Sequence, residues 1–361
     1  MKALLINDTE NIYHWGCYGT SHALKSKISQ LGIDITYTFS CDDGSKLENA
    51  PKGCLGVYSK NIFTRVISRI YYTSYFKNKT SELISNIKKC DCVVINGEGT
   101  INSIHIGTRF IFFIIYLAKD VFNKKVYLIN HSCYPKIKNN KQIRYYREAY
   151  SRCDFISARE PKSKDIIERV LGLNAELSFD SLPLAVSEVI NEVPSNILNK
   201  RYICISGAVN YKNENSEFIS KEIKDRYPEH KIIYLVGSIS GMNNEEPSVI
   251  KSLMEYMPDM VVYDAKKFEL WLSIIKHADV LICGRYHYAI AAMCFGTPMI
   301  CFSSNTPKID AVNRWFDLPN CINTHAEYIK SLNNINKFPW KSYLTEMCKL
   351  AEVNYEFAQG G

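Results

Sequence analysis

At 361 residues the chain is long enough for two domains, each burying its own core. Hydrophobic residues at 46% and charged residues at 22% are globular values, and no window reaches the roughly 18 apolar residues of a membrane span, which excludes fibrous, disordered and membrane-embedded classes. The formal charge of +7 is modest for this length and accompanies no nucleic-acid-binding motif, so no nucleic-acid partner is expected.

From the amino terminus, MKALLIND runs from a single lysine through a short apolar stretch into polar residues. It lacks the longer apolar region and cleavage site of a secretory signal, and reads as a first strand. In HWGCYGTSHALKSKISQLG, Gly16, Thr20 and Ser21 fall between that strand and a helix, where a glycine-rich turn can cradle an anion on the acceptor side. DITYTF is the second strand. Between Lys60 and Lys89, seven Lys or Arg residues stand against one acid, Glu82, interleaved with Tyr71, Tyr72, Tyr75 and Phe76. Such a segment can make peripheral contact with an anionic membrane; a solvated helix face with inward aromatics is the structural alternative.

DCVVIN then opens into NGEGT. This is not a dinucleotide fingerprint, because Asn102 replaces the third glycine. Gly97 is an acceptor-side candidate, and Glu98, a carboxylate at a strand end, is a candidate general base; glycines that merely let the backbone turn are the alternative. KVYLIN, DFISAR and AELSFD continue the strand series. Arg159 is a candidate donor ligand and Asp180 an acceptor-side candidate, unless Arg159 pairs with Glu160 and the group is structural.

Residues 182–200, with prolines at 183 and 194 and no strong period, are the linker candidate. RYICIS, HKIIYLVG, DMVVYD, DVLICG and PMICFS are five further strands, separated by helical stretches, which is the pattern of a second parallel sheet. The thirteen cysteines are scattered through apolar runs, not set at framework spacing, which predicts a reduced, cytoplasmic protein. Cys90 and Cys92 flank Asp91 without a second pair at metal spacing, so they read as packed thiols and no structural metal is expected.

DVLICG is followed by Arg285 and His287 in the strand-to-helix turn that opens YHYAIAAMCFG. Exposed N–H groups and the positive end of the helix dipole make this turn an anion site. An arginine there can grip a phosphate or carboxylate in two-pronged fashion, and a nearby histidine can carry a proton near neutral pH; a turn-capping histidine and an arginine paired with an acid are the structural alternative. After the next strand, SSNTPK offers Ser303, Ser304, Asn305 and Lys308 to the same donor, although turn formation selects similar residues. The tail from 326 onward reads as helical, ending at Gly360 and Gly361 in what is expected to be an unstructured end.

The glycine-rich turn after the first strand, NGEGT, SARE, FDS and above all GRYHYAIAAMCFGTPMI together resemble the polysaccharide pyruvyl transferase family of bacterial surface-polysaccharide assembly, over most of residues 1–325. The resemblance implies an α/β fold of two Rossmann-like domains whose parallel sheets face a cleft, as in GT-B glycosyltransferases, with the C-terminal helix crossing back. The domains are expected at 1–185 (acceptor side) and 186–325 (donor side), with a helical tail at 326–361. It also implies transfer of pyruvate from phosphoenolpyruvate to two sugar hydroxyls as a cyclic ketal, with donor-binding roles for Arg159, Arg285 and His287. Gly97-Glu98-Gly99 departs from the family's more usual GGG.

On this reading His287 is the acid that protonates the donor methylene and Glu98 the base for the hydroxyl. No cofactor is expected, the donor being a substrate, and the partner is a saccharide acceptor, with a lipid-linked precursor at the inner face of the cell membrane as one form. Two alternatives keep the fold: a glycosyltransferase using a CMP-activated acidic sugar, with Glu98 or Asp180 as base, and a non-catalytic polysaccharide-binding subunit.

Overall fold

The computed structural model describes residues 1–11, 14–40, 54–79, 81–208, 214–237 and 246–358, and the expectation for Gly360 and Gly361 falls outside them. The chain forms two compact units. The first comprises Met1–Thr9, Leu24–Asp180 and Leu350–Gly361, the second Glu10–Ala23 and Ser181–Lys349.

In the first unit, strands β1 (Lys2–Ile6), β2 (Asp34–Phe39), β3 (Cys92–Glu98), β4 (Lys125–His131), β5 (Phe155–Ala158) and β6 (Glu176–Leu177) form one sheet in the order β2-β1-β3-β4-β5-β6. Every pairing is parallel. β3 is buried at every position because helices cover both sheet faces, which is why its sequence is a continuous apolar run and not an alternation. The helices are α1 (Trp15–Gln30), assigned to this unit only from Leu24 on, α2 (Ile62–Lys79), α3 (Ser81–Lys89), α4 (Ile106–Tyr116), α5 (Asn140–Tyr150) and α6 (Pro161–Asp165). α4 is apolar nearly all round and buries nine of its eleven residues, so it is a core helix and not a surface one. It packs in a cluster that runs from Leu4 and Ile6 through Val93 and Ile95 to Tyr146 and Tyr150.

In the second unit, β7 (Tyr202–Ala208), β8 (Lys231–Val236), β9 (Val261–Asp264), β10 (Val280–Gly284) and β11 (Met299–Cys301) form a sheet in the order β11-β10-β7-β8-β9, again wholly parallel. Its helices are α7 (Leu182–Val189), α8 (Glu214–Arg226), α9 (Glu246–Tyr256), α10 (Phe268–Lys276), α11 (Tyr286–Phe295), α12 (Lys308–Trp315), α13 (His325–Asn334) and α14 (Leu344–Glu352), the last assigned to this unit only as far as Lys349. α11 is buried over its first nine residues and stops at Gly296, whose φ of 73° is the left-handed value of a helix C-cap. A Cβ on Gly296 would also stand 2.7 Å from the Lys341 carbonyl carbon.

All eleven expected strands are present, AELSFD shortened to the two residues of β6. Two expectations differ from the structure. Residues 182–200 do not begin as a linker: Leu182–Val189 is helix α7, with Leu182, Pro183 and Leu184 buried. Pro183 occupies the first turn of that helix, where a missing N–H costs no hydrogen bond. The expected turn through Gly16, Thr20 and Ser21 lies inside helix α1, which begins at Trp15. The two units meet in sequence at Asp180/Ser181 and Lys349/Leu350, and the chain from Leu350 onward belongs to the first unit. Asn354 ties the chain's end into the first unit: its Oδ1 accepts from Asn130 N at 2.9 Å and Ser157 Oγ at 2.6 Å, and its Nδ2 donates to Phe179 O at 2.8 Å.

Among the described residues, eleven cysteines are free thiols, nine of them buried, and no helix is long and apolar enough to cross a membrane. Cys90 and Cys92 are fully buried, and burial pushes the Cys92 thiol up to about 12.

Candidate functional site

Each sheet reverses its strand order once. In the first the chain leaves β1 toward β2 on one side and β3 lies on the other; in the second the same happens at β7, between β8 and β10. Open parallel sheets bind ligands outside the carboxyl ends of the strands at such switch points. Both clusters of polar residues singled out in the sequence stand there.

In the second unit β10 ends at Gly284, and Arg285 follows in an extended conformation (φ −108°, ψ 132°) as the N-cap of α11. The guanidinium is accommodated by Gly207 of β7. A Cβ there would stand 3.6 Å from Arg285 Nε and 2.9 Å from the Tyr234 hydroxyl. His287, in the first turn of α11, is 6% exposed. Lys308, at the start of α12, places its ammonium 5.5 Å from the centroid of the Tyr286 ring, so it joins the same neighbourhood. Of the remaining SSNTPK residues, Ser303 donates its backbone N–H to Ile322 O, Ser304 donates to Asn305 Oδ1 at 3.2 Å, and Asn305 is exposed.

The first turn of α1 packs against His287. Trp15 anchors it, donating its backbone N–H to Gly237 O at 3.1 Å and its indole N–H to Ala265 O at 3.1 Å. Gly16 faces His287 directly, with no room for a side chain between them. His14 then stands with its ring centroid 5.2 Å from that of His287, and Cys17 Sγ lies 3.6 Å from His14 Nε2. One ligand atom from each of His14, Cys17 and His287 falls within 4.8 Å of the others. Bonds of about 2.3 Å to sulfur and 2.0–2.1 Å to nitrogen put tetrahedral S and N ligands about 3.5 Å apart, so the Cys17–His14 spacing suits zinc or a similar soft divalent cation. This set joins two residues spaced by three to one far along the chain.

In the first unit the ends of β1 and β3 are joined by side-chain amides. Asn7 Nδ2 donates to Asn96 O at 2.7 Å and to Thr100 Oγ1 at 3.0 Å; Asn96 Nδ2 donates to Glu98 Oε1 at 3.0 Å, and Asn130 Nδ2 to Asn96 Oδ1 at 2.9 Å. The Thr9 hydroxyl also donates to Glu98 Oε1. Glu98 is 4% exposed and has a φ of 36°, with Asn7 at 65° and Asn130 at 54°. Asparagine tolerates the left-handed region, whereas glutamate does so at a cost of about 1–2 kcal/mol. Strain of that kind collects at functional positions, and the carboxylate it presents is held by at least two donors.

Arg159 and Asp180 stand in the first unit and are engaged with each other. Arg159 Nη1 donates to Asp180 Oδ2 at 2.6 Å and Nε to Ser132 Oγ at 3.0 Å, with the two residues 1% and 0% exposed. Glu160 does not take that pairing. It caps α6, accepting from Ser163 N at 2.9 Å and from the Ser163 hydroxyl, and burial raises its carboxyl above the ordinary range. Beside them His131 is fully buried: its Nδ1–H donates to Ser157 O at 2.8 Å, and burial holds the imidazole at about 4, so it is neutral. Gly97 makes room for it, since a Cβ there would stand 2.1 Å from the His131 Cβ.

The structure sets Lys308 over the Tyr286 ring in the turn that carries Arg285 and His287, and adds His14 and Cys17 beside His287, which the sequence pattern does not single out. Thr20 and Ser21 are fully buried within α1. Glu98 and Gly97 share the first switch point with Asn7, Thr9 and Asn96, and the short spacing of Asn96 and Glu98 on one strand is the one local signal for that network.

Two parallel α/β sheets with polar residues gathered at their switch points define a GT-B-like protein. UDP-GlcNAc 2-epimerases share the fold: the enzyme of Neisseria meningitidis, solved bound to UDP-GlcNAc, is 13% identical with a TM-score of 0.59 over 99% of both chains. That of Methanocaldococcus jannaschii is 14% identical with a TM-score of 0.59 over 100% of both, and that of Rickettsia bellii 11% with 0.60 over 99% of this chain and 95% of that one. No curated protein matches the chain in sequence. The chain belongs to the polysaccharide pyruvyl transferase family, whose model matches residues 23–306, and so to a family of transferases that modify polysaccharides.

Proposed function

We propose that this protein transfers pyruvate from phosphoenolpyruvate to a pair of hydroxyls on a saccharide of a bacterial surface polysaccharide or its lipid-linked precursor. The observation that carries the reading is the placement of Arg285 and His287 at the positive end of α11, at the switch point of the second sheet. Family membership supports it. Phosphoenolpyruvate presents a carboxylate and a phosphate. The guanidinium suits one in two-pronged fashion, and the helix N-terminus with Lys308 suits the other.

In the reaction the donor methylene accepts a proton, which makes the neighbouring carbon electrophilic. Two sugar hydroxyls form C–O bonds to that carbon, and its bond to the phosphate oxygen breaks. Of the two hydroxyl protons released, one replaces the proton delivered to the methylene and the other leaves with phosphate. His287 is the proposed proton donor, and Glu98 the proposed acceptor of a hydroxyl proton. A positioned acid of this kind contributes about 10²–10⁴ in rate.

The test is phosphate release from phosphoenolpyruvate with a panel of glycosides carrying neighbouring free hydroxyls. His287→Ala is expected to lose about 10²-fold or more in kcat while retaining donor affinity. Near-normal turnover by His287→Ala would remove the assignment.

A further inference from the structure

Helix α2 leaves a row of large apolar side chains in solvent: Ile62, Phe63, Val66, Ile67, Ile70 and Tyr71 are 49–76% exposed. Their spacing of three and four residues puts them on one face of the helix. Contiguous exposed apolar area of this kind marks an interaction surface. The inward-facing alternative for the aromatics holds for Tyr72, which is buried, and fails for Tyr71, while the side chains of Tyr75 and Phe76 lie outside the described residues.

Next to the row, a cavity of about 260 Å³ is lined by five basic side chains, Lys60, Arg65, Arg69, Arg144 and Arg152, and by the acid Glu148. Asp120 adds a second carboxylate, 2.8 Å from Arg152 Nε and 3.7 Å from Arg69 Nη2. Arg144 donates to Tyr58 O at 2.6 Å, which holds the rim in shape. Cations still exceed carboxylates, and Lys88 and Lys89 extend the positive charge over exposed positions of α3. An apolar helix face bordered by cations is the arrangement of an interfacial helix on an anionic bilayer.

We propose that this face docks on an anionic lipid surface, with the Ile62–Tyr71 row among the acyl chains and the basic cavity taking a lipid phosphate. Charge selects this occupant over a second copy of the chain, because two such basic faces would repel one another. The inference goes beyond the donor chemistry, and vesicle binding is read without substrate, so its failure leaves the donor reading intact.

The experiment is sedimentation of the full-length protein with vesicles of phosphatidylethanolamine and phosphatidylglycerol, against vesicles of phosphatidylcholine alone. Wild type is expected to bind the anionic vesicles and to be released by salt, since the Debye length shrinks from about 10 Å at 0.1 M to about 3 Å at 1 M. Phe63→Ser with Ile67→Ser is expected to weaken binding about tenfold or more without altering the melting profile, both side chains being exposed. Lys60→Gln with Arg65→Gln is expected to abolish the preference for anionic vesicles. Equal binding to both vesicle types, or unchanged binding by the variants, would overturn the proposal. So would a solution dimer, seen by light scattering, that Phe63→Ser with Ile67→Ser dissociates, since the occupant would then be a second copy.

Discussion

Gly16 is pressed against His287: a Cβ on the glycine would stand 2.1 Å from the His287 Cβ and 2.8 Å from its Nδ1. Neither atom is the far end of a flexible side chain, so Gly16→Ala must displace α1 or α11. It is expected to cost about 1–3 kcal/mol in denaturant unfolding and to weaken phosphoenolpyruvate binding. Gly19→Ala is the control, because its Cβ would meet Leu182 Cδ1 and Phe268 Cζ, side-chain ends that can give way. It is expected to lower stability without changing donor affinity; equal effects of the two variants on affinity would separate Gly16 from the site.

The Arg159–Asp180 pair is fully buried, and removing one partner strands the other charge. Arg159→Met or Asp180→Asn is each expected to destabilise by about 3–5 kcal/mol, whereas Arg159→Met combined with Asp180→Leu recovers most of the loss. Urea midpoints of the two single variants and the double variant decide it. Single variants that unfold like wild type but lose donor binding would instead make Arg159 a ligand.

His131 gives the fold an acid sensitivity of definite sign. The unfolded chain takes up this proton near pH 6.5, and the folded protein only near 4. The stability contributed by the neutral imidazole is therefore present above pH 6.5 and is lost as pH falls toward 4. The loss is of the order of 3 kcal/mol, at about 1.4 kcal/mol per pK unit. His131→Asn, which keeps a donor for Ser157 O, is expected to flatten the stability profile in that window. An unchanged profile would contradict the assignment.

His14, Cys17 and His287 offer three soft ligands, and a cation held there takes His287 out of proton transfer. Added Zn²⁺ is expected to suppress turnover and EDTA to restore it. Cys17→Ser is expected to weaken the inhibition roughly tenfold or more, with activity in EDTA preserved. Inhibition of equal strength in Cys17→Ser would exclude this site.

The strands were legible because parallel strands covered on both faces appear as uninterrupted apolar runs, as CVVIN and VLICG do. Helix α7 was not, because Pro183 reads as a breaker until its place in the first turn is known. Arg285 and His287 were legible because a strand, a turn and a small-residue helix are contiguous in sequence. The approach of His14 and Cys17 to His287 was hidden, since it depends on the first turn of α1 packing against the first turn of α11 and has no local pattern. The pairing of Arg159 with Asp180 was hidden for a related reason. Glu160 is adjacent in sequence but points along its own helix to cap it, leaving Asp180, brought in through β6, to face the guanidinium.

The turn around Arg285 is expected to bind phosphoenolpyruvate. Titration calorimetry with phosphoenolpyruvate and with CMP, on wild type and on Arg285→Ala, tests it most directly. Saturable phosphoenolpyruvate binding by wild type, lost in Arg285→Ala, is the expected result. Binding of CMP with none of phosphoenolpyruvate would contradict it and make the protein a glycosyltransferase acting on a CMP-activated sugar.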